Sequence, residues 1–157
     1  MDIYSVFGTG ERMAIGEKWG ICPGVINGIL TYCIQQKPHE ACGFVFGTKR
    51  EASDIQYKIH EFMPVTNCAQ TPETHFVMAP AQVIAALSEQ RDDRLLLGIV
   101  HSHPSGPPIP SAMDLSTPWY TLPSHWIISL QETGTPSMRG YRYTSGGQYE
   151  ELDYIVN

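Results

Sequence analysis

The chain has 157 residues, of which 42% are hydrophobic and 17% charged, so it is the size of one globular domain with one core. Sixteen acidic against ten basic residues give a net charge of −6, which disfavours nucleic acid as the main partner. Residues 1–5 lack the basic and apolar blocks of a signal peptide, and no apolar run has the length of a membrane span. We therefore expect a cytoplasmic protein that binds neither nucleic acid nor membrane.

The first half of the chain predicts one helix and two strands. Residues 1–20 have no clear hydrophobic period, and we treat them as an N-terminal arm without an assigned role. From Pro23, which suits a first helical turn, apolar residues recur at helical spacing until Pro38 ends the element. An apolar strand over 41–47 and a second strand over 54–62 flank a polar turn, so we expect them to pair as a hairpin.

The second half alternates helix and strand. A helix is predicted over 80–90, beginning at a proline and carrying apolar residues on one side, and an apolar strand over 95–102 follows it. This alternation predicts a mixed sheet. Further strands are predicted over 125–130, 139–144 and 148–156, the last two joined by a turn at Ser145-Gly146-Gly147. The sequence therefore predicts one α/β (α+β) domain over 21–157, with a central mixed sheet flanked by helices.

Two histidines stand at the end of the strand that follows the second helix. Alternate residues of a strand face the same side, so His101 and His103 can converge on one ion while Ser102 points away. After a proline-stiffened loop, Ser111 to Asp114 is typical of a first helical turn, which would return the Asp114 carboxylate towards the histidines. Two imidazoles and a carboxylate suit Zn²⁺ at roughly 2.0–2.2 Å, with a fourth position left for water.

Ser111 has a second interpretation at this stage. Ser-x-x-Asp at a helix start is close to a capping box, in which the Ser111 hydroxyl satisfies a backbone N–H of the first turn. The stretch alone favours this role and a catalytic role equally.

The pattern H-x-H-P-x₆-S-x₂-D at 101–114, preceded far upstream by Glu40 at the start of a strand, resembles the JAMM (MPN⁺, Mov34-like) metallopeptidase motif. The resemblance covers roughly residues 22–145 and implies a single MPN/JAMM-like domain. It implies one catalytic zinc held by His101, His103 and Asp114. It also implies Glu40 as the general acid/base and Ser111 as a hydrogen-bond donor to the developing oxyanion.

The resemblance implies a zinc metallopeptidase or isopeptidase that hydrolyses an amide bond. The compact chain is similar to the bacterial members, which remove residues or adducts from the C-terminal Gly-Gly of small ubiquitin-like (β-grasp) sulfur-carrier proteins. Such a carrier is the expected substrate, because only glycine lets a backbone lie so close to a metal. MPN domains often pair, so the resemblance is also compatible with a homodimer.

Two other functions remain open. One is a non-catalytic MPN scaffold, against which the full set of Glu40, Ser111 and the three metal-ligand residues counts. The other is a RadC-like protein, suggested by His103-Pro104-Ser105-Gly106, although Ser102 stands where that group typically has Asn. Glu61 and Glu73 are the other candidate glutamates, but no motif surrounds them. The remaining histidines, including His125, have a hydrogen-bonded structural role as the default, and Cys42 is expected to be a small buried residue.

Overall fold

A computed structural model describes residues 17–157, so residues 1–16 of the predicted N-terminal arm lie outside the described residues. In the described range no helix is long and apolar enough to cross a membrane. We label the elements in chain order as β1 (Trp19–Ile21), α1 (Pro23–Gln36), β2 (Cys42–Lys49), β3 (Tyr57–Val65), α2 (Pro80–Ser88), β4 (Leu95–His103), α3 (Ala112–Leu115), β5 (Ser124–Ser129), β6 (Ser137–Tyr143), β7 (Tyr149–Leu152) and β8 (Tyr154–Val156).

These strands form one mixed sheet in the order β7-β6-β5-β4-β2-β3-β1-β8. β4 runs parallel to β5, and β1 runs parallel to both β3 and β8, whereas the other neighbours are antiparallel. The prediction of a mixed sheet flanked by helices is confirmed, and so is the hairpin of β2 and β3.

The sheet curls until its two edges meet. β7 and β8 stand at opposite ends of the strand order, yet Asp153 alone separates them along the chain. Consecutive Cα atoms are about 3.8 Å apart, so the two edges must lie close together. The Trp19 amide donates a hydrogen bond of 3.3 Å to the Asp153 carbonyl at this junction.

The prediction of a single strand over 148–156 is wrong for its last part. Residues 149–152 pair with β6 as expected, but residues 154–156 pair with β1 at the other edge. The alternating pattern could not reveal this change of partner, because it depends on the curvature of the whole sheet. Trp19–Ile21, which spans the end of the predicted arm, lies between β3 and β8 as a buried interior strand.

Helix α1 packs on one face of the curled sheet. Its predicted extent is confirmed, with Pro23 in its first turn. Val25, Ile29 and Cys33 form its buried side. They belong to a core that also contains Trp19 and Trp126, whose rings meet edge to face at 5.8 Å.

Helix α2 covers the opposite face incompletely. It ends at Ser88, and Ala86 is the residue that it buries. The apolar side predicted from the sequence is left largely open, since Ile84 is 66% exposed and Leu87 is 43% exposed. Beneath this helix the sheet presents a second buried cluster that includes Phe44 and Ile99.

Gly98 allows the close approach of β4 and β5. It pairs with Ser124, and a Cβ at this position would overlap the Ser124 carbonyl oxygen and hydroxyl oxygen. The Ser124 hydroxyl also donates a 2.7 Å bond to the Leu97 carbonyl and accepts a 2.8 Å bond from the Trp126 indole N–H. A side chain at residue 98 would therefore disturb several buried contacts.

Replacing Gly98 with Ala is expected to lower the free energy of unfolding by about 1–3 kcal/mol, because the added methyl group overpacks this junction. Gly28→Ala is the matched control. An added methyl group there meets nothing within 4 Å, so the helix should gain about 0.5–1 kcal/mol. Urea unfolding of both variants would measure the difference, and equal effects would contradict the packing explanation.

Candidate active site

Strand β4 brings His101 and His103 to one face near its carboxyl end. Their Nε2 atoms lie 3.0 Å apart. His101 is 3% exposed, and the Phe76 ring stacks on it with a centroid distance of 4.8 Å. The His103 Nδ1–H donates to the Pro107 carbonyl oxygen at 2.8 Å, which leaves the His103 Nε2 lone pair free to bind a cation.

The start of helix α3 returns a carboxylate to the two rings. Asp114 Oδ1 lies 3.2 Å from His101 Nε2, and Asp114 Oδ2 lies 3.1 Å from His103 Nε2. The capping box fixes this side chain, because the Ser111 amide donates to Asp114 Oδ2 at 2.8 Å and the Asp114 amide donates to the Ser111 hydroxyl at 3.1 Å. The same two hydrogen bonds therefore cap helix α3 and fix the position of the Asp114 carboxylate.

Glu40 reaches the same place from a distant part of the chain. One carboxylate oxygen of Glu40 and one ring nitrogen from each of the two histidines all lie within 4.8 Å of one another. Glu40 is 7% exposed. Of the other candidate glutamates, Glu61 is bound by Arg94 at 2.5 and 2.9 Å, and Glu73 is exposed. The structure brings together His101, His103, Asp114 and Glu40, with Ser111 one turn before Asp114.

Burial and neighbouring charges set the protonation of the carboxylates. Burial raises the pKa of Glu40 to about 7, with His103 lowering it and Asp114 raising it. Burial also acts to raise the pKa of Asp114, but in the metal-free protein the facing His101 and His103 side chains and the hydrogen bond from the Ser111 amide outweigh it and hold that pKa well below its usual range. One carboxyl group therefore exchanges protons near neutral pH, while the other stays ionised.

The chemistry of this donor set fits a zinc ion. Three ligands at 2.0–2.2 Å around tetrahedral Zn²⁺ lie roughly 3.3 Å from one another. The two histidine Nε2 atoms are 3.0 Å apart, and each lies 3.1–3.2 Å from a different carboxylate oxygen of Asp114, which is close to this separation. Two imidazole lone pairs and a carboxylate oxygen facing one another repel unless a cation or proton lies between them. Glu40 stands beside this trio.

Two residues that hold the site were missed by the sequence analysis. The buried Ser102 hydroxyl accepts a 2.8 Å hydrogen bond from the Ala41 amide, and thus fixes the residue after Glu40. The Asn67 amide group donates to the Glu40 and His75 carbonyls at 2.9 and 3.0 Å. Its oxygen accepts from the Ala69 and Val77 amides at 3.0 Å each. In the sequence, the features that could have indicated these roles were a serine at a buried position of a strand and an asparagine in a turn-rich segment.

Cys42 and three other histidines, His39, His60 and His125, are not among the converging residues. His39 is exposed, and His60 is exposed and bonds the Asp93 carbonyl at 3.1 Å. Cys42 is fully buried, and its thiol donates to the Val65 carbonyl at 3.4 Å. His125 is 3% exposed, and its ring stacks on Tyr143 with a centroid distance of 4.0 Å.

Comparison with known proteins adds family evidence to this geometry. Residues 24–142 match the family model described as prokaryotic homologs of the JAB domain. The chain is 25% identical over 150 residues to a probable TtuB-protein conjugate cleaving protease from Thermus thermophilus, a match that covers 87% of this chain and 90% of that one. It is 35% identical over 90 residues to a desampylase from Pyrococcus furiosus, which covers 57% of this chain and 58% of the relative.

A solved structure shares the fold. The solution structure of a protein from Desulfitobacterium hafniense superposes with a TM-score of 0.74 at 29% identity. The superposition covers 88% of this chain and 92% of that protein.

Replacing Ser102 with Ala is expected to lower the free energy of unfolding by about 1–3 kcal/mol, because it leaves the buried Ala41 N–H without an acceptor. Hydrogen exchange should show faster exchange of the Ala41 amide. The control is Ser88→Ala, which removes an exposed hydroxyl at the end of α2 and should change stability by less than about 0.5 kcal/mol. Unchanged protection of Ala41 in Ser102→Ala would refute the positioning role.

His125 should make the metal-free protein less stable in mild acid. Burial lowers the pKa of His125 from 6.5 to about 4, with His101 acting in the same direction. Between these values the unfolded chain binds the proton and the native protein does not, so stability falls as the pH drops from about 6.5 to about 4. His125→Phe should remove roughly 3 kcal/mol of this pH dependence. Urea unfolding from pH 4 to 7 with chelator present would measure it. The exposed His60→Phe should keep the wild-type slope, and an unchanged slope in His125→Phe would refute the prediction.

Proposed function

The chain belongs to the prokaryotic JAB-domain (JAMM/MPN) family, and from this premise we propose that it is a zinc-dependent metallopeptidase. Its proposed substrate is a small ubiquitin-like sulfur carrier, and it hydrolyses an amide or isopeptide bond after the carrier's C-terminal Gly-Gly. The observation that carries the proposal is the convergence of four groups at one point, the buried Glu40 and His101 and the partly buried His103 and Asp114. A non-catalytic scaffold would have no use for such a buried cluster, which is costly without a cation.

His101, His103 and Asp114 would hold the zinc ion in this proposal. When bound, the ion supplies Lewis-acid polarisation of the scissile carbonyl and lowers the pKa of a water molecule to about 7. The capping box at Ser111 keeps the Asp114 carboxylate in place, and the His103 bond to Pro107 keeps the Nε2 lone pair facing the ion. The protein thus provides ligands that are ordered by its own hydrogen bonds.

Glu40 would move the protons. It takes one proton from the attacking water and gives one to the leaving nitrogen, as a carbon–oxygen bond forms and the carbon–nitrogen bond breaks. In the metal-free protein burial raises the pKa of Glu40 to about 7, which supports a carboxyl group that can both accept and release a proton.

Ser111 would donate a hydrogen bond to the developing oxyanion. Its hydroxyl oxygen accepts from the Asp114 amide, and a hydroxyl that accepts one bond still has its own proton to donate. The cap and the proposed catalytic role are therefore compatible. We therefore propose that one Ser111 hydroxyl serves in both roles.

The named relatives support the choice of substrate. One is described as a probable TtuB-protein conjugate cleaving protease and another as a desampylase. A Gly-Gly tail suits a buried site because a backbone without side chains can approach it closely. The cytoplasmic location and the homodimer stay predictions.

The substrate is tested by intact-mass analysis of a Gly-Gly-ending sulfur carrier with a short C-terminal extension. With zinc present, the extension should be released immediately after the second glycine. Chelation should stop the reaction, and added zinc should restore it. An intact carrier in the presence of zinc-loaded protein would overturn the substrate proposal, whereas cleavage that survives complete removal of metal would overturn the zinc mechanism.

Replacing Glu40 with Gln should lower turnover by about 10²–10⁴-fold, because the amide cannot accept a proton, while the bound zinc content stays that of the wild type. Metal analysis and cleavage rates would be measured on the same samples. Glu73→Gln alters the exposed alternative and should keep the rate within about twofold of the wild type. Full activity of Glu40→Gln would contradict the proposed role of Glu40 in proton transfer.

A further inference from the structure

A cavity of about 550 Å³ opens beside the proposed catalytic groups. Glu40, His101 and Asp114 line one part of it. The rest is lined mainly by apolar side chains from the incompletely covering helix α2, the segment before that helix, the sheet and the segment after α3. A volume of this size is typical of ligand pockets in proteins.

Two residues of the cavity lining carry buried polar atoms without partners in the described part of the chain. His125 and Tyr143 both line it, and they are 3% and 5% exposed. Their rings stack with an interplanar angle of 8°. In the part of the chain that the structure describes, His125 Nε2 and the Tyr143 hydroxyl have no hydrogen-bond partner. Unpaired buried polar groups are costly, so a bound molecule that supplies a polar atom here would gain affinity.

The proposed carrier tail cannot fill this space. Its two glycines have no side chains, so the residues before the scissile bond need no pocket. The group that remains is the residue on the other side of that bond, which is released by hydrolysis. The cavity begins at Glu40, and Glu40 would protonate the nitrogen of this same residue. The released residue is therefore placed to project its side chain into the cavity.

The lining indicates what kind of side chain fits. Ile99, Val83 and Trp119 offer apolar contact, which favours a large apolar or aromatic side chain over a charged one. A hydroxyl group can both donate and accept, so it can satisfy the His125 ring nitrogen in either tautomer together with the Tyr143 hydroxyl. Tyrosine combines both properties.

We propose that this cavity is the specificity pocket for the released residue and that it prefers a bulky, mostly apolar side chain bearing one hydroxyl group, as in tyrosine. This proposal rests on the proposed function. It adds a requirement for the side chain of the residue that hydrolysis releases. Tyr143 and His125 are specificity residues in this scheme, since they contact the side chain of the substrate and not the reacting atoms.

The first test compares carriers that differ only in the residue after Gly-Gly. With tyrosine, phenylalanine, alanine and glutamate at this position, kcat/KM should be highest for tyrosine and lowest for glutamate, with tyrosine about tenfold above alanine. Tyr143→Phe should reduce the preference for tyrosine over phenylalanine. A general structural defect would lower both rates alike. Equal cleavage of all carriers by the wild-type protein would overturn the proposal.

A second test fills the cavity. Val83→Trp places a large ring into the lining, whereas Leu87→Trp changes a 43% exposed residue of the same helix that does not line the cavity. Val83→Trp should reduce the tyrosine-to-alanine preference about tenfold, and Leu87→Trp should retain it. A preference that survives in Val83→Trp would place the pocket elsewhere.

Binding of tyrosinamide separates this proposal from the proposed function, because it requires no cleavage. Ligand-observed NMR should detect binding to the wild type and to Leu87→Trp, and not to Val83→Trp. If no carrier is cleaved but tyrosinamide binds in this pattern, the pocket stands and the substrate proposal falls. If tyrosinamide binds none of the three proteins, or all three equally, the pocket proposal falls whatever happens to the carriers.

Discussion

The antiparallel pairing of β2 with β4 is the constraint on which the candidate site depends. It places Cys42 opposite His101, so the residues just before β2 meet the end of β4 across about sixty positions of sequence. The bond from the Ala41 amide to the Ser102 hydroxyl fixes this meeting from the side of the sheet that faces away from the histidines. Asn67 holds the Glu40 carbonyl from a third segment. These two bonds hold the peptide group that follows Glu40, and on the preceding side the Glu40 amide donates a 2.7 Å hydrogen bond to the Pro72 carbonyl, so the backbone is held on both sides of Glu40.

The two faces of the curled sheet are covered by different elements. One face encloses α1 and the aromatic core around Trp19 and Trp126, where burial of apolar surface supplies the driving force for folding. The other face is covered by the short helices α2 and α3 and by irregular segments, which leave a cavity. The candidate catalytic groups lie on this second face, beside the buried cluster that includes Phe44 and Ile99.

Desolvation acts in different ways on the two site carboxylates. Both are buried, yet Asp114 accepts hydrogen bonds from a backbone amide and faces two imidazoles, so its charge is stabilised. Glu40 has weaker compensation, and burial dominates its pKa. Two side chains with the same functional group thereby acquire different chemistry. Their assigned roles in the proposed reaction, metal ligand and proton carrier, correspond to this difference.

The sequence by itself determined those features that depend on near neighbours. The two-residue period of a strand places His101 and His103 on one face, and the capping pattern at Ser111 sets the start of α3. Glu40 was found only through a family resemblance, since no local pattern links it to residue 101. The meeting of the sheet edges at Asp153, the hydrogen bonds of Ser102 and Asn67, and the cavity lined by His125 and Tyr143 were decided by the tertiary structure. Each of these depends on where distant segments lie once the sheet has curled, and short-range periodicity carries no information about that.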